Sequence, residues 1–277
     1  MARFVHWTDL HTEFAPFDSP PPPPEGVDAI LIGGDTGVGV ASADVLERVW
    51  DAYRVPVLCV VGNHEYYGQE VGRFEHAFAA RVAGLQAKGK DVRWLQGDAV
   101  VVAGVRVIGA TLWTDMELLG ETGWVHALRG MNDYRRIAVA EDRPLDPDAI
   151  APRPPLRALQ VADTVAWHRR DWAKVEAHLA TPHDGPTVVL THHLPSPLCI
   201  APRYRGDGLN AAFASDKTTA IMDSQVDWWF YGHSHGPVEF DLPRADGGVC
   251  RMRSNCRGYP QEWAHTGFDP RLVHTVA

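Results

Sequence analysis

Long apolar runs are missing from these 277 residues; no stretch approaches the ~18 needed to cross a bilayer, so no spanning helix is expected. The opening Met1-Ala2-Arg3-Phe4-Val5-His6-Trp7-Thr8-Asp9 is apolar for too short a distance to form a signal peptide. Cysteine is scarce as well. Cys59, Cys199, Cys250 and Cys256 are scattered without a C-x-x-C pair, which argues against a disulfide framework and for free thiols in a reducing compartment. The expected location is therefore cytoplasmic. Positive charge is short, with 26 Lys and Arg against 35 Asp and Glu and a net charge of −9. Such a surface repels phosphate backbones and anionic lipid, so neither long nucleic acid nor a membrane is the expected partner. A small anionic substrate remains open, because a bound metal inverts the local field. Oligomeric state is not legible.

What is present is an ordinary globular balance, 45% hydrophobic and 22% charged, on a chain long enough to bury a real core. Neither repeats nor a clear boundary interrupts it, so one domain over residues 1–277 is expected. Short runs rich in Val, Ile, Leu or aromatics read as strands at residues 3–8, 29–32, 57–61, 100–108, 187–190, 227–231 and 249–252. Apolar residues at helical spacing predict helices over 43–53, 74–85 and 156–179, the last stopped by Pro182 and Gly185. Strands alternating with helices argue for an α/β layered fold with a mixed sheet. Three segments break the rhythm. Pro20 through Pro24, after Ser19, read as a stiff linker, and residues 141–155 as a Pro- and Asp-rich loop. Residues 196–217 form a long loop of the kind that often carries function.

Histidine is the unusual count, at 14, and its placement is informative. Asp9-Leu10-His11 follows the first apolar run and Gly33-Gly34-Asp35 the second. Gly62-Asn63-His64-Glu65 follows the third, Thr191-His192-His193 the run at 187–190, and Gly232-His233-Ser234-His235 the run ending at Tyr231. Five strands thus deliver Asp, Asn or His at their C-terminal ends, where open α/β sheets form a ligand crevice. Asp9 and His11, like His233 and His235, are two apart, a spacing that points side chains the same way in extended backbone. The glycines allow tight turns that aim the neighbouring donors. Asp9, His11, Asp35, Asn63, His192, His233 and His235 supply seven N and O donors and no thiolate. Seven are too many for one tetrahedral site and suit two transition-metal ions (Mn, Fe, Zn or Co) sharing a carboxylate.

In order and composition these motifs resemble the full signature of the calcineurin-like metallophosphoesterases, from Asp9 to His235. The resemblance implies an α/β fold, a two-sheet mixed β-sandwich flanked by helices, with a binuclear centre at the strand ends. It implies one metal on Asp9, His11, Asp35 and His235, a second on Asp35, Asn63, His192 and His233, and Asp35 between them. It further implies a hydroxide bridging the metals that attacks phosphorus in line, and a catalytic His64 facing the substrate as acid or transition-state stabiliser. One departure stands out: the family often reads Gly-Asp-x-x-Asp, but Asp35 is followed by Thr36, Gly37 and Val38. That leaves open what supports the neighbouring groups. Asn132-Asp133-Tyr134-Arg135-Arg136 and the stretch from Arg203-Tyr204-Arg205-Gly206-Asp207 to Asn210-Ala211-Ala212-Phe213 resemble a bacterial phosphoesterase branch of the family.

Residues 111–136, irregular and carrying Trp113, Trp124, Asp133, Tyr134 and Arg135, read as part of a cap from about 111–160, unless Trp113 and Trp124 simply pack. With the rim loop, Arg203, Arg205 and Asn210 become the candidate substrate contacts, arginine suiting phosphate. The expected substrate is a small phosphodiester or nucleotide. A monoesterase of the same fold and a non-catalytic metal-binding scaffold for a protein partner are the alternatives. His193 is expected to point away from the site, His6 lies too early in its strand, and His76, His126, His168, His178 and His183 read as surface groups. Other chemistries fail on residue type. Gly68 stands where H-E-x-x-H needs its second His, and Asp91 where the phosphate loop Gly84-x-x-x-x-Gly89-Lys90 needs Ser or Thr. No G-x-S-x-G elbow occurs.

Overall fold

The structure is a computed structural model that describes residues 1–17, 21–22, 24–141 and 155–277. Ser19, Pro20 and Pro23 of the expected linker lie outside the described residues, as do residues 142–154 of the expected Pro- and Asp-rich loop. The strands are β1 (Ala2–Trp7), β2 (Ala29–Gly33), β3 (Val57–Val60), β4 (Val92–Trp94), β5 (Asp98–Val102), β6 (Val105–Ala110), β7 (Ala138–Ala140), β8 (Leu156–Ala158), β9 (Thr187–Thr191), β10 (Trp228–Phe230), β11 (Phe240–Pro243), β12 (Val249–Arg253) and β13 (Val273–Val276). The main helices are α1 (Ser42–Tyr53), α2 (Val71–Ala87), α3 (Gly120–Gly130), α4 (Asp133–Arg136), α5 (Val161–Ala180) and α6 (Asn210–Phe213).

Period-2 alternation sorts the core. Phe4, Leu31 and Leu58 of one sheet meet Val107, Leu190 and Phe230 of the other, forming the layer between the sheets. Val5, Trp7, Ile30 and Ile32 point the opposite way, onto the apolar faces of α1 and α2. Ile108, Val189 and Trp229 do the same on the outer side of the second sheet, where Val175 of α5 covers them. The first sheet runs β13-β1-β2-β3-β4 and the second β11-β12-β10-β9-β6-β5. Both are mixed: β13 is antiparallel to β1, and β5 and β11 are antiparallel to their neighbours, while the other pairs are parallel. The result is a two-sheet mixed sandwich flanked by helices.

Three expectations change. The apolar run 100–108 is a hairpin, turned at Ala103-Gly104 with φ of 50° and 79°, the pattern of a type I′ turn. The helix expected from 156 begins at Val161, because Leu156–Ala158 pairs with Ala138–Ala140 and the Gln160 amide donates to Asp163 at 2.8 Å. Residues 111–136, expected to be irregular, contain α3 and α4. No described helix is long and apolar enough to cross a membrane.

Candidate metal centre

Where β1, β2 and β10 end, the backbone turns left-handed. Asp9, His11, Asp35, His233 and His235 all have φ between 46° and 70°, a region that side-chain-bearing residues seldom adopt. The Asp9/His11 and His233/His235 pairs are therefore not extended. Their convergence comes from strained turns rather than from strand alternation, and strain of this kind, about 1–3 kcal/mol per residue, concentrates at functional sites. Glycine provides the close approach beside them. A Cβ on Gly62 would lie 2.2 Å from Asp35 Oδ1 and 2.6 Å from His192 Nε2.

The seven expected ligands are brought together. His235 Nε2 lies 3.2 Å from Asp9 Oδ1 and 2.9 Å from His11 Nε2, which is 3.7 Å from Asp35 Oδ2. On the other side of Asp35, His192 Nε2 lies 3.4 Å from its Oδ1 and 3.1 Å from Asn63 Oδ1. The His192 and His233 rings are 4.9 Å apart. Asp9-His11-His235, His11-Asp35-His64 and Asp35-His192-His233 each gather their donor atoms within 4.8 Å, and Asp35 is shared by two of the three.

Hydrogen bonds behind the donors decide which atom each presents. His192 Nδ1 donates to Gly33 O at 2.9 Å, His235 Nδ1 to Glu262 at 2.7 Å, and His11 Nδ1 to Glu13 at 3.1 Å. Each leaves its Nε2 facing the centre, the arrangement that orients metal-binding imidazoles. Asn63 Nδ2 donates to Asp133 and Tyr67 at 2.9 and 3.0 Å, which turns its carbonyl oxygen inward. Glu65, wholly buried, accepts from the amides of Asp35, Thr36 and Gly62 at 3.1, 2.7 and 2.7 Å, tying the ends of β2 and β3 together.

These residues fit a cation. His233 Nε2 is buried without a hydrogen-bond partner among the described residues, and burial with His193 and His192 alongside keeps its ring neutral, a free lone pair. Burial alone would raise the Asp9 carboxyl, yet the hydrogen bond to His235 and the nearby His192 and His11 hold it ionised. Burial opposes a proton on His235, but Asp9 and Glu262 outweigh it and raise the group to about 10. A metal held there by His235 would take the place of that proton, as metal binding to imidazole generally does.

Residues 2–237 match the calcineurin-like phosphoesterase family. The chain belongs to that family. As a calcineurin-like phosphoesterase it is a metal-dependent hydrolase of phosphoric esters. Among solved structures it is similar to the phosphopantetheinyl hydrolase PptH from Mycobacterium tuberculosis, at 17% identity and a TM-score of 0.63, covering 95% of this chain and 92% of that one. A second solved structure is 10% identical with a TM-score of 0.50, over 90% of this chain and 89% of the other. These likenesses concern the fold. None of the curated proteins matches the sequence.

In this phosphoesterase His64 sits beside the donors. Its Nδ1 bonds Glu13 at 2.7 Å, and its Nε2 lies 3.2 Å from the Tyr259 hydroxyl and 3.9 Å from Asp35. Burial lowers its proton affinity, but Asp35 and Glu13 more than compensate and raise it. Of the expected substrate contacts, Asn210 lines the cavity next to the metal ligands, whereas Arg203 and Arg205 do not. Arg203 donates to His235 O at 3.2 Å, and Arg205 is exposed. Trp113 is buried against Trp167 and His193, while Trp124 is 40% exposed. His193 bonds Thr111 O through Nδ1 at 3.2 Å, with its ring 4.4 Å from that of His233. His168 is a correction: it is buried, bonding Leu112 O at 2.8 Å, because α5 packs it against the loop after β6.

Sequence reasoning missed Glu13, Asp133 as an orienting group, Tyr259 and Glu262. Glu13 carried a signal, two positions after His11. Tyr259 and Glu262 come from a distant loop with no motif.

Proposed function

We propose that this phosphoesterase hydrolyses small phosphodiesters, holding two divalent transition-metal ions from the Mn, Fe, Zn and Co group. Asp9, His11, Asp35 and His235 hold one ion and Asp35, Asn63, His192 and His233 the other. The observation carrying this reading is the convergence of those donors, with Asp35 shared between two clusters, beside a cavity of about 310 Å³ lined by Asp35, Asn63, His233 and His235 together with His64. The apolar residues on the same lining, Leu209 and Phe213 among them, favour an ester that carries a second organic substituent. When bound, the ions supply Lewis acidity, lowering the pKa of water and offsetting charge on the phosphoryl oxygens.

The chain's own groups do the rest. Hydrolysis forms a bond from water oxygen to phosphorus and breaks the bond to the ester oxygen, which needs a proton. Glu13, an acceptor only, requires the hydrogen on His64 Nδ1, so the movable proton sits on Nε2 toward the cavity. His64 Nε2 delivers it to the leaving oxygen, and the proton lost by water restores it. The site's location in the cell follows the cytoplasmic reading, with small phosphorylated molecules as partners rather than nucleic acid or membrane.

The test is hydrolysis of bis(4-nitrophenyl) phosphate and 4-nitrophenyl phosphate by metal-stripped protein resupplied with manganese, with Asp35→Ala as control. Diester turnover that needs metal and vanishes in the control is expected. A faster monoester would displace the diester reading, and silence on both with two ions bound would favour a scaffold.

A further inference from the structure

The cavity that the ligands open into has two unlike ends. At one lie Asp35, Asn63 and the histidines. At the other are Met131, Leu194, Ile200, Leu209 and Phe213, drawn from the end of α3, the loop after β9 and the rim around α6. Phe213 lies nearly parallel to the His233 ring at 4.3 Å, so the apolar wall begins directly beside a metal ligand.

The charged side chain beside these apolar residues is Asp207, whose Oδ1 accepts from the Leu209 amide at 2.8 Å. Glu262 also lines the cavity, but at the metal end, bonded to His235 Nδ1, and among the described residues none of the lining is Lys or Arg. Arg203 is close to the rim, but its guanidinium bonds His235 O and its charge acts on Glu262. Asn132 and Asn210 add neutral hydrogen-bonding groups. The metal end neutralises one phosphoryl group; a second anion further along would be desolvated beside Asp207, with no lysine or arginine on the lining.

We propose that the apolar end is a subsite for an uncharged, partly apolar ester arm, so the substrate carries one phosphate and no further anionic group. This rests on the diester reading above and narrows it: nucleotides bearing an additional phosphate are disfavoured. Burial against Leu209 and Phe213 gives an alkyl or planar arm its affinity, and Asp207 rejects anionic ones.

The experiment compares two probes on manganese-loaded protein at low ionic strength: 4-nitrophenyl hexyl phosphate and its equally long ω-carboxypentyl analogue. The hexyl ester should have a kcat/KM about tenfold higher, and added salt should narrow the gap. Asp207→Asn, which keeps the Oδ1 acceptor used by the Leu209 amide at 2.8 Å, should narrow it too, by raising kcat/KM for the carboxypentyl ester. Leu209→Ala should raise KM about fivefold for the hexyl ester. Equal rates on both probes, or a preference for the carboxylate, would overturn the subsite and leave the diesterase standing. No turnover of either, with Asp35→Ala equally silent, would bring down both.

Discussion

Val38 stands where the family often carries a second aspartate, and another residue meets the same need. Glu13 comes from the turn after β1, and its carboxylate bonds His64 Nδ1 at 2.7 Å as well as His11 Nδ1 at 3.1 Å. It fixes which nitrogen of His64 faces the cavity and raises the ring's proton affinity, which in the mechanism proposed above would ready it to donate. Proton donation matters most when the leaving oxygen is basic. Glu13→Gln should therefore slow a phosphodiester with an alkyl leaving group about 10- to 100-fold while sparing a 4-nitrophenyl ester. Metal content measured on the same samples should be unchanged. Equal losses on both esters, with metal lost, would make Glu13 a support of His11 instead. The motif His11-x-Glu13 was visible in the sequence, but its partner lies fifty-one positions on, and only the fold joins them.

At the level of elements, the site is a set of strand ends, and its tolerances are those of loops packed backbone to side chain. Glu65 shows this: one carboxylate accepts three amides from two loops. Glu65→Gln offers one acceptor oxygen and turns an NH₂ toward a buried N–H, so unfolding free energy should fall by about 1–3 kcal/mol. Metal affinity should drop about 10- to 100-fold, read by titrating the stripped protein. Gly62→Ala is harsher, since its Cβ would intrude on Asp35 and His192 together; metal binding should be lost while far-UV circular dichroism is kept. The ligand-bearing ends of β1, β2, β3, β9 and β10 were legible because burial on both faces makes each strand a plain apolar run. Their left-handed turns were not, since φ at Asp9 or His235 is imposed by tertiary packing rather than by residue type. Short, half-exposed β4 and β11 carried too little periodicity to register, and β13 reads as a strand only through its pairing with β1.

Over the whole molecule, the two sheets close on a layer that includes two neutral histidines. His6 of β1 lies 4.8 Å from the Phe230 ring, and neither of its nitrogens has a partner among the described residues. His274 of β13, a buried histidine outside the expected ligand set, packs on Trp228 and Phe230 at 5.5 and 4.9 Å. Burial pushes His6 down to about 3, helped by His274, and His274 down to about 4, helped by Arg253. An unfolded chain takes up these protons near pH 6.5, whereas the folded one waits until pH 4 or below. Stability is therefore complete above pH 6.5 and is lost as the pH falls toward 4. From pH 7 to 5, His274 alone accounts for about 2 kcal/mol. His274→Leu keeps an apolar side chain against Trp228, so urea unfolding at the two pH values should show a drop smaller by about 1–2 kcal/mol than in the parent chain. The comparison cancels the proton–metal competition at the strand ends, which both chains share. If the two drops were equal, His274 would play no part in the acid sensitivity, which would then belong to His6 or to the strand-end carboxylates and imidazoles.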